Sequence, residues 1–419
     1  MSSNGSMNGR RRVVITGLGA VSPLGNDVET TWRSLLAGES GAGEITQFDH
    51  TDYKVHFACE VKDLDPTNWI DKKDARRMDR FAHLVIAAAY QAQEDAKLDI
   101  HAEADRIGAS IATGIGGIRS FQECYDTLIH KGPDRVSPFA IPAIIPNLGA
   151  GWVSIMLGTR GPLSAQCTAC AASNMAIGDG LDAIRLGRAE VMLCGGTEAA
   201  VNEVGIAGFA AMRALSQRND DPTHASRPFD ARRDGFVMGE AGAVLVLEEF
   251  EHAKARGAKI YAEVAGYGLS SDAQHITEPD PTGPVRALEM ALNDAGVGKD
   301  GIDYINAHAT STPIGDASET KMLKLALGEE NARKTPVSGT KGATGHCLGA
   351  AGAIEATFTV LATRDDKLPP TINYEVEDPE CDLDYVPNVA RDAVVNTAVS
   401  NSFGFGGHNA CVVFKKFAE

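Results

Sequence analysis

The stretch Gly161-Pro-Leu-Ser-Ala-Gln-Cys167-Thr-Ala-Cys170-Ala-Ala-Ser-Asn174 decides how the rest of this chain is read. An apolar-leaning run that predicts a short strand stops at Cys167-Thr168, and small residues then open a helix expected to reach about residue 187. A cysteine therefore sits at a strand-to-helix junction. Cys170 heads the helix, where free backbone N–H groups and the positive end of the macrodipole favour a thiolate. Ala171, Ala172, Ser173 and Ala176 allow close approach to other backbones, as the seat of a buried nucleophile requires. A lone cysteine in such a place is more often structural. Two histidine motifs downstream, however, offer partners for a reactive thiol.

Around this junction, strands and helices alternate. Residues 12–17 predict a strand ending in Gly17-Leu-Gly19, which is followed by Ala20-Val-Ser-Pro23 rather than by the helix-opening third glycine of a dinucleotide fingerprint. A long amphipathic helix is expected over residues 73–97. Met78, Phe81, Ala82, Val85, Ala89, Ala92 and Ala96 form its apolar face, and Lys73, Arg76, Arg77 and Arg80 form a basic stripe opposite. On pattern alone, the stripe is either a solvated face or a dock for an acidic partner. Strands are expected at 106–113, at 190–194 (closed by Gly195-Gly196) and at 243–247, with helices at 118–129 and 148–157. A second half opens near Lys259, with strands at 260–267, 302–306, 394–399 and 410–414 and helices at 284–295, 313–327 and 348–362. The alternation predicts an α/β chain of parallel sheets covered by helices. The expected division is a disordered tail over 1–10, a half over 11–258 and a half over 259–419. The halves rhyme: one strand-to-helix junction carries Cys170 and the other His346, which reads as a weak internal duplication meeting at one face.

Composition bounds the function. At 419 residues and 43% hydrophobic, the chain is long enough for two or three units with a large core. With 39 basic against 56 acidic residues, a net charge of −17 argues against nucleic acid or an anionic membrane as partner. Eight scattered cysteines fit a reducing cytoplasm better than a disulfide scaffold. The polar, Gly/Ser-rich start is not a signal peptide, and no apolar run reaches the roughly 18 residues of a membrane span.

Three segments of the second half carry candidate chemistry. In Asn306-Ala-His308-Ala-Thr310-Ser-Thr312-Pro-Ile-Gly-Asp316, a histidine directly follows a strand, and two hydroxyls able to bond an extended amide-bearing ligand come after it. In Gly339-Thr-Lys341-Gly-Ala-Thr-Gly-His346, a second histidine opens a helix whose Glu355 is an acid in an apolar run, with Lys341 as its natural counter-charge. Asn401-Ser-Phe403-Gly-Phe405-Gly-Gly407 is a turn whose glycines let backbone N–H groups approach a substrate. Zinc is a weaker reading of Cys170, His308 and His346, because the histidines lack close helical spacing and Cys167-x-x-Cys170 has no second cysteine pair. A thiol–disulfide oxidoreductase would explain the cysteine pair but would leave both histidine motifs unused.

Together these motifs resemble those of the elongating β-ketoacyl-acyl carrier protein synthases of type II, over residues 11–417. The resemblance implies a thiolase-like fold, two duplicated halves in a five-layer αβαβα arrangement, assembled as a homodimer. It implies that Cys170 accepts an acyl group, that the N–H groups of Cys170 and Phe405 hold the oxyanion, and that His308 and His346 assist decarboxylation of a malonyl thioester. Lys341 and Glu355 become a supporting charge pair, and Thr310 and Thr312 contacts for the phosphopantetheine arm. Ile115, Phe209 and Phe403 become substrate contacts, and Phe405 also a gate. Lys73, Arg76, Arg77 and Arg213 become the dock for acyl carrier protein. No metal is implied, and the phosphopantetheine arrives on the carrier. Polyketide-type ketosynthases and coenzyme A thiolases are the nearest alternatives, and a catalytically inert assembly partner is a non-enzymatic one. Where the family has Gly-Glu-Gly-Ala-Gly, this chain has Gly239-Glu240-Ala241-Gly242-Ala243, a small-for-small change.

Overall fold

The computed structural model describes residues 10–418. The tail expected over 1–10 lies outside them apart from Arg10. Ten strands form one hydrogen-bonded array that divides into two sheets of five. In spatial order, the first holds Leu163–Ser164, Ile107–Ala112, Val191–Glu198, Ala241–Glu249 and Val13–Val21. The second, read from its outer edge, holds Val337–Ser338, Tyr304–Asn306, Thr397–Gly404, His408–Lys416 and Ala262–Ser271. Among the described residues, the strand pairs Val14↔Glu263 and Ile15↔Ala262 join them.

Numbered along the chain within its own half, each sheet has the strand order 3-2-4-5-1. In each, strands 3, 2 and 4 run parallel, whereas 5 is antiparallel to both 4 and 1. The sheets are therefore mixed rather than wholly parallel. Helices Arg80–Ala96 and Leu148–Leu157 cover the outer face of the first sheet, and Thr282–Ala295 and Pro313–Leu327 cover the second. Helices Ala172–Arg185 and Ala351–Asp365 lie between the sheets and touch both. These are the five αβαβα layers. The middle helices are buried on nearly every side, so small residues dominate them.

The Gly17-x-Gly19 pair lies inside a strand. A Cβ at Gly17 would lie 2.3 Å from Ala92 O, and one at Gly19 1.9 Å from Ala88 O. Gly266 and Gly268 face Ala291 O and Ala287 O in the other half at 2.3 and 2.0 Å. Each pair lets an outer helix settle directly on its sheet, and the duplication is visible at atomic scale. Gly195-Gly196 likewise continues the strand Val191–Glu198 instead of closing it.

The long helix expected over 73–97 is broken in two. A short helix, Lys72–Ala75, ends at Arg76, and Asp79 then caps a new helix, Arg80–Ala96, by accepting from Phe81 N. Lys73 and Arg76 remain exposed, but Arg80 turns inward.

Candidate active site

Three connections bring the chemistry to the face where the middle helices begin. After Ser164 the chain runs on without strand pairing, so the expected strand is only two residues long. Ala169 adopts a left-handed φ of 49°, and the tight turn Ala169–Ala171 feeds helix Ala172–Arg185. The second half repeats this: Leu348 has φ 46°, and the turn Leu348–Ala350 feeds Ala351–Asp365. Superposing the two turns sets Gly349, not His346, opposite Cys170; His346 falls opposite Cys167. The rhyme between the halves is real but shifted by one turn.

Cys170 is 8% exposed, and its Sγ lies 2.9 Å from His346 Nε2. The His308 and His346 rings are nearly perpendicular, with centroids 5.4 Å apart. One donor atom from each of Cys170, His308 and His346 falls within 4.8 Å of the others. That spacing would also admit an ion.

Each histidine is held by its backbone. His346 N donates to Val237 O at 2.7 Å, and Gly239 N donates to His346 O at 2.9 Å. His308 N and Ala309 N donate to the Glu319 carboxylate at 2.9 and 2.8 Å, which stabilises the left-handed Ala309. Lys341 Nζ, on a side chain 1% exposed, donates at 2.5 Å to both Glu355 Oε1 and His308 O.

Burial sets the protonation states. It pushes the Cys170 thiol up to about 12, against the pull of the Lys341 ammonium. The thiolate expected from the helix start is therefore not the resting form. Burial, reinforced by Lys341, pushes both imidazoles well below 6.5. A neutral thiol thus faces two neutral rings. Burial likewise raises the Glu355 carboxyl, and the Lys341 ammonium opposes that rise.

A cavity of about 450 Å³ opens onto these three residues. Thr310, Thr312, Phe209, Phe403, Phe405 and Arg213 line it. The two threonine hydroxyls bond each other at 3.0 Å, and Thr312 also caps helix Pro313–Leu327. Phe403 lies 5.6 Å from the His308 ring, and Phe405 is 37% exposed at the turn. A Cβ on Gly404 would stand 2.8 Å from Thr168 O and 3.2 Å from Cys170 N, so only glycine brings this turn against the nucleophile's N–H. Ile115 does not line the cavity; it packs behind Cys170 in the same apolar cluster as Phe209. Lys73, Arg76 and Arg77 are also away from it. Arg77 stacks over the Phe139 ring at 4.4 Å and pairs with Asp74.

Three residues that the motifs leave unmarked also shape the site: Glu319, Asp316 as a carboxylate anchor, and Phe236, whose ring meets His346 edge-on at 5.1 Å. Asp316 accepts from Ser311 N and Phe229 N, and burial pushes it up to about 7. The two acids stand three apart on one buried helix face, a pattern that was available in the sequence. Asn306 Nδ2, Glu355 Oε2, Asn401 Oδ1 and Ser402 Oγ are buried without a hydrogen-bond partner among the described residues.

A duplicated five-layer α/β fold thus brings one cysteine and two imidazoles together on one cavity, the arrangement expected of a condensing enzyme. The chain matches the family descriptions "Beta-ketoacyl synthase, N-terminal domain" over residues 10–253 and "Beta-ketoacyl synthase, C-terminal domain" over residues 261–375. It is 53% identical to a 3-oxoacyl-[acyl-carrier-protein] synthase 2 of Synechocystis sp., covering 97% of this chain and 99% of that one. It is 52% identical to the protein of that name from Staphylococcus aureus strain COL, covering 98% and 100%. Among solved structures, a β-ketoacyl synthase from Burkholderia phymatum superposes with a TM-score of 0.91 at 34% identity, covering 97% and 100%. A structure described as a type II PKS acyl-carrier protein in complex with its ketosynthase superposes with a TM-score of 0.90 at 35% identity, covering 98% and 100%. The chain belongs to the β-ketoacyl synthase family. It is an acyltransferase of the condensing type.

Proposed function

We propose that this protein elongates fatty acyl chains on acyl carrier protein by decarboxylative Claisen condensation, with Cys170 as nucleophile and His308 and His346 as the decarboxylating pair. The observation that carries this reading is Cys170 Sγ at 2.9 Å from His346 Nε2, with His308 beside them on one cavity. Cys170 Sγ attacks the acyl thioester carbonyl, and its proton passes to His346 and on to the departing pantetheine sulfur. The oxyanion faces the N–H groups of Cys170 and Phe405. In the second half, the malonyl carboxylate leaves as CO2 and its bonding pair becomes an enolate, hydrogen-bonded by ring N–H groups of both histidines. The carbanion forms the new C–C bond, the C–S bond to Cys170 breaks, and one proton from water restores the thiol. His346 Nδ1 has no partner among the described residues, so neither tautomer is imposed on a ring asked first to accept and then to donate.

Thr310 and Thr312 line the route for the phosphopantetheine arm, which arrives on the carrier, and no resident cofactor is required. Phe209 and Phe403 bound the acyl chain, with Ile115 as backing, and Phe405 closes over the nucleophile. Exposed Lys73, Arg76 and Arg213, with Arg77, suit an acidic carrier; in an acidic chain these cations stand out. The units 11–258 and 259–419 each contribute one side of the site. A homodimer is supported by Phe121, Tyr125 and Ile129, each more than half exposed on helix Ile118–Lys131, and by the unpaired outer edge of Leu163–Ser164. No helix among the described residues is long and apolar enough to cross a membrane, which fits action in the cytoplasm.

The higher identity to the synthase 2 proteins than to the polyketide ketosynthase favours fatty acid over polyketide substrates. Cys411 lies fully buried inside a strand, not at the cavity as a thiolase's second cysteine would. Supplied with acyl- and malonyl-carrier protein, the enzyme is expected to release one CO2 and one β-ketoacyl product two carbons longer per cycle. Mass spectrometry of products from primers of graded length tests this, and absence of any condensed product rejects it.

Both imidazoles are already neutral far below pH 6.5, so malonyl decarboxylation should lack the usual histidine acid limb. Its kcat is expected to stay level from pH 8 down to about 6, where an unperturbed imidazole would have lost most of its neutral form. The same depressed rings lower stability as pH falls below about 6.5, because the unfolded chain then binds the protons that the folded one refuses. A pH–rate profile paired with melting curves reads both.

A further inference from the structure

The basic residue that the fold withdraws from the exposed stripe has another use. Arg80 donates through Nε at 2.9 Å and Nη2 at 2.6 Å to Glu240, whose side chain is fully buried. Glu240 also accepts from Val61 N at 2.9 Å and Gln47 Nε2 at 3.0 Å. Arg80 Nη2 bonds Val61 O at 2.8 Å as well, so the guanidinium grips both sides of one small ladder. In that ladder Cys59 N donates to Met238 O at 2.8 Å and Glu240 N to Cys59 O at 3.1 Å. The other edge of the same segment is His346, with Val237 O and Gly239 N taking both of its backbone groups. Gly239 is pressed against this partner: a Cβ there would lie 2.8 Å from Thr344 O. No side chain of the His346 ring's own segment fixes its Nδ1, so the ring's placement over Cys170 depends on where its backbone is held.

We infer that Arg80 and Glu240 are a positioning pair that fixes the backbone of His346, and through it the ring, against Cys170. The inference rests on the proposed role of His346 in decarboxylation. A forked guanidinium with two parallel bonds fixes direction as well as charge, which a lysine does not. The pair also sits three residues beyond the basic segment that ends at Arg77, tying the helix start at this surface to the catalytic histidine.

Three variants test this: R80K, R80M and R80M/E240Q, the last removing both charges while leaving an acceptor for Val61 N. For R80K and for R80M/E240Q, kcat of malonyl decarboxylation is expected to fall about tenfold with KM for malonyl-carrier protein unchanged. The double variant should recover the melting midpoint lost by R80M, because it leaves no unpaired buried charge. A double variant with wild-type kcat would make the pair purely structural. A raised KM at unchanged kcat would assign it to carrier binding instead. Either result overturns the inference, and if the double variant does not fold, R80K decides alone. H346A in parallel separates the two readings: if the wild-type enzyme decarboxylates and H346A does so equally well, the role of His346 fails, not the pair.

Discussion

Replacing Cys170 with alanine should abolish condensation, by at least about 10⁴-fold, while leaving a folded enzyme that still releases CO2 from malonyl-carrier protein. The structural cost is small, because among the described residues the thiol makes one side-chain hydrogen bond, to His346, and it packs in an apolar cluster with Leu348, Phe236 and Ile206. Removing one sulfur there costs about 1 kcal/mol or less after local relaxation. The chemical loss has no substitute. Cys167 is exposed, its Sγ is turned to Gly114 O at 3.3 Å, and burial with the nearby Glu198 raises its thiol. Intact-protein mass spectrometry after exposure to acyl-carrier protein should show one added acyl group on the wild type and none on Cys170→Ala. Decarboxylation should survive within about tenfold, since both imidazoles and Lys341 are untouched. An acyl adduct on the variant, or a complete loss of CO2 release, would contradict the assignment.

Much of this site could be read in the sequence, because its parts are local. Cys170, His308 and His346 each sit where a strand or loop gives way to a helix, and small residues and glycines mark such junctions in any chain. The pairing of Lys341 with Glu355 follows from the cost of burying either alone. What the sequence hid is long-range. That Gly17 and Gly19 seat a helix, rather than end a strand, depends on Ala88 and Ala92 arriving from another segment. The break at Arg76 was masked because residues 72–75 and 80–96 keep one apolar period, and the Asp79 cap that splits them also accepts from Ser120 N, far along the chain. The thiolate expectation failed for the same reason. A helix start is visible in sequence, but the depth of burial that outweighs it is a property of the assembled layers. Glu319 went unmarked because, although its spacing from Asp316 is visible, its work is on the backbone N–H groups of His308 and Ala309, which come from another segment.

Lys341 is the residue whose loss should reach furthest through this arrangement. Its ammonium sits 2.5 Å from both Glu355 Oε1 and the carbonyl of His308, and its charge helps hold both rings neutral while pulling the thiol down from where burial alone would place it. Lys341→Met keeps the volume and removes the charge. It strands a buried carboxylate, so unfolding free energy should fall by about 3–5 kcal/mol, read from denaturant curves. Adding Glu355→Gln should return most of that stability, since no unpaired charge remains. Activity should behave differently. Without the cation, both imidazoles become easier to protonate, so an acid limb should move up toward neutrality in the decarboxylation profile, and iodoacetamide should alkylate Cys170 only at higher pH. At pH 7, decarboxylation should drop by about 10²-fold in Lys341→Met and stay low in the double variant. A double variant that regains the rate along with the stability would reduce Lys341 to a counter-ion for Glu355. A rate that stays low with a displaced acid limb would make the charge itself part of the catalytic device.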